Sequence, residues 1–126
     1  KRWPHYADLA RSLIEQDLTP VLLGTEAERD VTAAIHAACP GAIDLTGGTN
    51  LMEIAGLARR AAGAVGNDTG PMHVAAVAGA PSMVLFSAES DPDLCAPRGA
   101  RVATLRENDL AALTVDRVWD SIADGL

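Results

Sequence analysis

The side chains with the most evident chemistry stand together in Gly66-Asn67-Asp68-Thr69-Gly70-Pro71-Met72-His73. Asp68 brings a carboxylate, Thr69 a hydroxyl and His73 an imidazole, just where an apolar stretch, Val74-Ala75-Ala76, begins. The apolar run ahead of them reads as a strand over 62–67, followed by a tight turn and a helix opening at Gly70-Pro71. Proline suits the first helical position because its missing N–H needs no partner there. Such a turn aims backbone N–H groups and the positive end of a helix dipole at one point, a ready setting for a phosphate. A phosphate there favours the protonated ring of His73. The plainer alternative is an ordinary helix start, with an Asx or Thr cap, a flexible glycine and a histidine bonded to a carbonyl.

The elements that must position this turn can be read from periodicity. Tyr6, Leu9, Ala10, Leu13 and Ile14 recur at helical spacing, giving an amphipathic helix from near Pro4 to near Asp17. Thr19 to Gly24 reads as a buried strand. Thr25 and Glu28 form a capping box ahead of a helix carrying Val31, Ala34, Ile35 and Ala38, which Cys39-Pro40-Gly41 ends. Ala42 to Leu45 is a second strand, Thr46 to Thr49 a loop, and Asn50 with Glu53 a second capping pattern. The helix from Pro71 to about Ala78 is apolar nearly all round and is expected to be buried. Ser82 to Phe86 is a strand of the kind covered on both faces. Ser87 to Gly99 reads as a long loop, Arg101 to Leu105 as a strand, and Thr114 as the cap of a last helix with Val115, Val118, Trp119 and Ile122 on one face. Alternating helices and strands predict an α/β fold: a Rossmann-like parallel sheet with helices on both faces. Ligands of such sheets sit at the carboxyl ends of the strands, where the central turn lies.

Bulk properties narrow the functions. The chain has 126 residues, 48% of them hydrophobic, enough for one domain with an aliphatic core. A net charge of −7 speaks against a general nucleic-acid binder. No apolar run is long enough to cross a bilayer and no secretory pattern opens the chain. Cys39 and Cys95 form no CxxC pair and read as reduced, inert thiols of a cytoplasmic protein. No histidine cluster suggests a metal ligand set, so no metal is expected. Trp3 and Trp119 read as packing residues, and Asp91 as part of an Asp-Pro turn.

Several stretches in one order carry a family resemblance: Lys1-Arg2-Trp3-Pro4, Gly24-Thr25-Glu26-Ala27-Glu28, Asp44-Leu45-Thr46-Gly47 with Leu51-Met52-Glu53, and the Gly66–His73 stretch. Together they resemble the family-9 glycosyltransferases, the heptosyltransferases of lipopolysaccharide core synthesis. The resemblance implies one half of a glycosyltransferase-B fold, residues 1–126 being the carboxyl-terminal, donor-binding domain. It implies a nucleotide-sugar substrate, an ADP-heptose, with no cofactor. Asp68, Thr69, Gly70 and His73 are expected to contact the diphosphate and sugar, and Lys1 the phosphate charge. Glu28 is expected at the ribose, with Glu26 as the lesser candidate, and Leu51 and Met52 beside the adenine. For Glu28 the helix-capping role stays open beside the ribose role.

The family pattern also differs from this chain. The family domain opens with a further strand, and an amino-terminal domain carries the acceptor site and the aspartate expected as general base. The chain therefore reads as a fragment without its own catalytic residue. Its open strand edges invite a homodimer. The parent enzyme is expected to meet a glycolipid acceptor at the cytoplasmic face of the inner membrane. After the Ser82–Phe86 strand the family's Gly-Pro-Thr-Asp-Pro becomes Ser87-Ala88-Glu89-Ser90-Asp91-Pro92, keeping only Asp-Pro. Two rival functions remain at this point: a nucleotide- or phosphate-binding module without chemistry, and an epimerase-like enzyme of the same fold.

Overall fold

A computed structural model describes residues 3–67, 69–86, 102–107 and 109–125. The chain divides into two compact units. One is Pro4–Thr49; the other joins Lys1–Trp3 to Asn50–Leu126.

The smaller unit begins with helix α1 (Tyr6–Glu15). Its end is a left-handed turn at Asp17 (φ 61°), with Leu18 N donating to Leu13 O at 2.9 Å and Asp17 N to Ile14 O at 3.0 Å. This is the helix stop that a glycine usually makes and that aspartate tolerates. Strand β1 (Val21–Leu22) pairs in parallel with β2 (Ile43–Asp44). The hydrogen-bond ladder runs further than the strands, from Ile43 N to Pro20 O (2.9 Å) through Gly47 N to Gly24 O (2.8 Å). It therefore covers most of the predicted Thr19–Gly24 run. Helix α2 (Arg29–Ala38) connects them. Ala10, Cys39 and Ala42 form the core here, with Leu22 and Ile35 against it. The expectation of a buried β1 needs correction. Val21 and Ile43, register partners on one face, are 40% and 49% exposed. Side chains alternate along a strand, so Leu22 reaches the core while Val21 points away from it.

In the larger unit the order is α3 (Leu51–Arg60), β3 (Ala64–Asn67), α4 (Gly70–Val77), β4 (Ser82–Phe86), β5 (Val102–Arg106) and α5 (Val115–Gly125). The three strands are parallel, with β4 between β3 and β5. All five β4 residues are buried, as a central strand covered on both faces requires. Met72, Val84 and Phe86 form one core cluster, and Ala58, Ala75 and Ala80 another. Gly79 (φ 100°) stops α4, with Ala80 N bonded to Ala75 O at 3.1 Å. Thr114 Oγ1 accepts from Arg117 N at 3.2 Å, the cap expected for α5. The Trp3 indole, 2% exposed, packs inside as expected. It also donates from Nε1 to Leu113 O at 2.8 Å.

The prediction that α4 is buried all round holds for Met72, Ala75 and Ala76 but not for His73 and Val77, the latter 75% exposed. Thr69, His73 and Val77 recur every four residues. They form the stripe of α4 that its packing on β3, β4 and α3 leaves outside. The loop read over Ser87–Gly99 and the start of β5 at Arg101 lie outside the described residues. Among the described residues, no helix is long and apolar enough to cross a membrane.

Candidate functional site

In the larger unit, β3 delivers the chain to the central turn. Gly66 makes this possible: a β-carbon there would stand 2.8 Å from Met72 Cγ, so its absence lets Met72 lie on the strand. Asn67 closes β3. Its Nδ2 donates to Leu85 O of β4 at 3.4 Å, and its Oδ1 accepts from Trp3 N at 3.5 Å. Thr69 follows in extended conformation as the residue before α4, and His73 N makes a helical bond to Thr69 O at 3.2 Å. The amides of Gly70 and Met72 stand ahead of that bond, and Pro71 has no N–H to satisfy. The Thr69 hydroxyl makes no capping bond to the first turn. His73 is exposed on that turn.

Helix α3 packs beside α4. Its last turn and that of α4 meet the amino ends of β3 and β4, through Ala58, Ala64, Ala75, Ala78 and Ala80. Both helices therefore begin toward the carboxyl end of β3. Leu51 and Met52, the first two residues of α3, are 61% and 83% exposed there. The larger unit thus brings Leu51, Met52, Thr69, Gly70 and His73 to one end. Lys1 and Asp68 lie outside the described residues.

Glu28 and Glu26 belong to the smaller unit. Glu28 ends a short 3₁₀ turn (Glu26–Glu28) that leads into α2. Its Oε1 accepts from Thr25 N at 3.0 Å and from Thr25 Oγ1 at 3.4 Å, so the capping contact exists. Glu26 is committed elsewhere. Arg29 Nε donates to its Oε2 at 2.7 Å and Arg29 Nη2 to its Oε1 at 2.5 Å. The Arg29 hydrogen bond holds the Glu26 carboxyl below the ordinary carboxylate range. Of the two glutamates, Glu28 is the one held through a single oxygen.

Sequence reasoning missed three contributors. Arg29 also donates to Thr46 O at 3.1 Å. Asp44 Oδ1 accepts from the Thr46 hydroxyl at 2.5 Å and its amide at 2.9 Å, which together lower the Asp44 pKa. Asn67 ties the end of β3 to its neighbours. The i, i+3 spacing of Glu26 and Arg29 was a readable sign of the ion pair; nothing local marked its reach to Thr46. Among the described residues, no group of three His, Cys, Asp or Glu could hold a metal ion.

Comparison with known proteins places this arrangement. Residues 1–118 match the family model described as glycosyltransferase family 9 (heptosyltransferase). The chain belongs to that family. This family-9 chain is 34% identical over 113 residues to lipooligosaccharide heptosyltransferase 2 of Haemophilus influenzae. It is 35% identical over 116 residues to lipopolysaccharide heptosyltransferase 2 of Escherichia coli K12. Each match covers 84% of this chain and 32% of the relative, so the chain spans about a third of the length of these relatives. The solved structure of E. coli ADP-heptose LPS heptosyltransferase II superposes with a TM-score of 0.89 at 28% identity, covering 98% of this chain and 41% of that one. The structure of E. coli heptosyltransferase WaaC with ADP shares the fold, with a TM-score of 0.86 at 23% identity over 98% of this chain and 40% of that one. The parallel α/β architecture read from the sequence is thus that of the glycosyltransferase-B heptosyltransferases.

Proposed function

We propose that this chain is the donor-binding part of an inverting glycosyltransferase that moves heptose from ADP-heptose to a lipopolysaccharide core acceptor. The observation that carries the reading is family-9 membership over residues 1–118, with the Gly66–His73 motif holding the end of a strand and the start of a helix. In such a transfer the acceptor oxygen bonds to the anomeric carbon as the bond to the departing nucleoside diphosphate breaks. Negative charge gathers on the leaving phosphate. The first-turn amides of α4, its dipole and the His73 imidazole are suited to meet that charge without reorganising. Thr69 and Asp68 contact the diphosphate and sugar. Lys1 adds a cation. Glu28 accepts from the ribose hydroxyls, and Leu51 and Met52 give the adenine an apolar neighbour. The acceptor, and the base that takes its proton, belong to another part of the enzyme, so this chain alone binds donor and does not turn over.

Calorimetric titration of ADP, UDP and GDP into the chain and its His73→Ala variant tests this. The expected result is preference for ADP and a several-fold weaker ADP affinity in the variant, on the scale of one charge-assisted hydrogen bond. Equal affinities for all three nucleotides, unchanged in His73→Ala, would contradict it.

A further inference from the structure

The smaller unit contains a continuous polar network around the start of α2, beyond the residues assigned to the donor above. Arg29 forks onto both oxygens of Glu26 and extends to Thr46 O at 3.1 Å. Thr46 is itself fixed by Asp44 and by a hydrogen bond between its hydroxyl and that of Thr32, at 2.7 Å and buried. The next residue, Gly47, donates to Gly24 O at 2.8 Å. Gly47 has φ +71°, and a β-carbon on it would collide with the Glu26 carboxylate. The loop after β1 and the loop after β2 are thus locked to each other through one guanidinium and one glycine. Glu28 lies between Glu26 and Arg29 on the locked turn, its carboxylate held by Thr25.

Stability does not account for this arrangement well. The Glu26–Arg29 pair is about half exposed on the Arg29 side and more so on the Glu26 side, and exposed pairs contribute little to folding. What the network determines is direction. We infer that Arg29 and Gly47 are positioning residues for the nucleoside: by locking the two loops they hold Glu28 in the orientation that distinguishes ribose from deoxyribose. The inference rests on the ribose role proposed for Glu28. Arg29 acts through that carboxylate and not on the nucleotide itself. Lysine cannot replace it, because a point charge cannot grip two carboxylate oxygens and a carbonyl in one plane.

The test is the affinity of the 126-residue chain for ADP, 2′-deoxy-ADP and 3′-deoxy-ADP, with Glu28→Gln, Arg29→Gln and Gly47→Ala beside the wild type. A ribose hydroxyl bonded to a carboxylate gives the wild type roughly a tenfold preference for ADP over one of the deoxy compounds. Glu28→Gln abolishes most of it. Arg29→Gln and Gly47→Ala are expected to shrink the preference at least about threefold, with affinity for the deoxy compound within about twofold of wild type. A general loss of structure would weaken all three nucleotides together, so the ratio separates positioning from unfolding. Should Gly47→Ala melt early, the exposed Arg29→Gln carries the test alone. Preference lost in Glu28→Gln but kept in Arg29→Gln overturns the positioning role. Preference kept in Glu28→Gln overturns the ribose reading, and the inference with it.

Discussion

Helices α3 and α4 lie side by side, begin toward the same end of the larger unit, and are finished differently. At the start of α3, Asn50 Oδ1 accepts from Glu53 N at 2.8 Å and Glu53 Oε1 from Asn50 N at 3.0 Å. This reciprocal cap closes the helix with its own side chains. At the start of α4, proline removes one N–H, and the Thr69 hydroxyl makes no bond to the first turn. Their glycines differ as well. A β-carbon on Gly56 of α3 would meet nothing within 4 Å, whereas one on Gly66, facing α4, would press on Met72. The lesson is that α3 closes its first turn with its own side chains, while α4 is set tightly onto β3 with no cap bond from the Thr69 hydroxyl.

The contrast can be broken most forcefully at the glycines. Gly66→Ala should destabilise by about 1–3 kcal/mol, because Met72 is buried and must shift. Gly56→Ala should stabilise by roughly 0.5–1 kcal/mol, because open helical space accepts a methyl group and the unfolded chain loses freedom. Urea melts of both variants check the opposite signs; equal signs would mean that the two helices are not differently constrained.

The caps give the next largest effect and the sharper one. Asn50→Ala should cost about 1 kcal/mol of stability and leave ADP affinity unchanged. Thr69→Ala should cost only a few tenths of a kcal/mol, having no capping bond to lose, yet weaken ADP several-fold. Melts and titrations on the same two proteins would show that crossed pattern, or show both variants changing both quantities, in which case α4 is capped like α3.

The smallest effect concerns acid. Glu26 and Asp44 both have carboxyls held below their ordinary values of 4.5 and 3.8. A depressed folded-state pKa stabilises above the ordinary value, and that stability is lost as pH falls through the lowered one. Stability should therefore decline below about pH 4.5, and Asp44→Asn or Glu26→Gln should flatten that decline. Melts across pH 7 to 3 check the slope; an unchanged slope in both variants would detach the loop network from acid unfolding.

Much of this was legible in the sequence because it is local. Capping residues, glycine stops and the apolar run of β4 act within a few positions, and the motif order placed the chain in its family. The exposure of Val21 and Ile43 was not legible. An apolar run specifies a strand, but which of its faces is covered depends on partners distant in sequence. The apolar composition of α4 misled for the same reason, since it conceals which stripe the sheet and α3 leave outside. The Arg29–Thr46 bond and the Trp3 bond to Leu113 O join residues brought together only by folding. In Glu28 the sequence held two roles, and the capping bond accounts for one oxygen while leaving the other reading to experiment.

Backbone amide spectra recorded during an ADP titration address the central claim most directly. If the start of α4 receives the diphosphate, the largest shifts fall on the amides of Gly70 and Met72, while Glu53, already bonded to Asn50, moves little. Saturable ADP binding with those two amides unmoved would contradict the account.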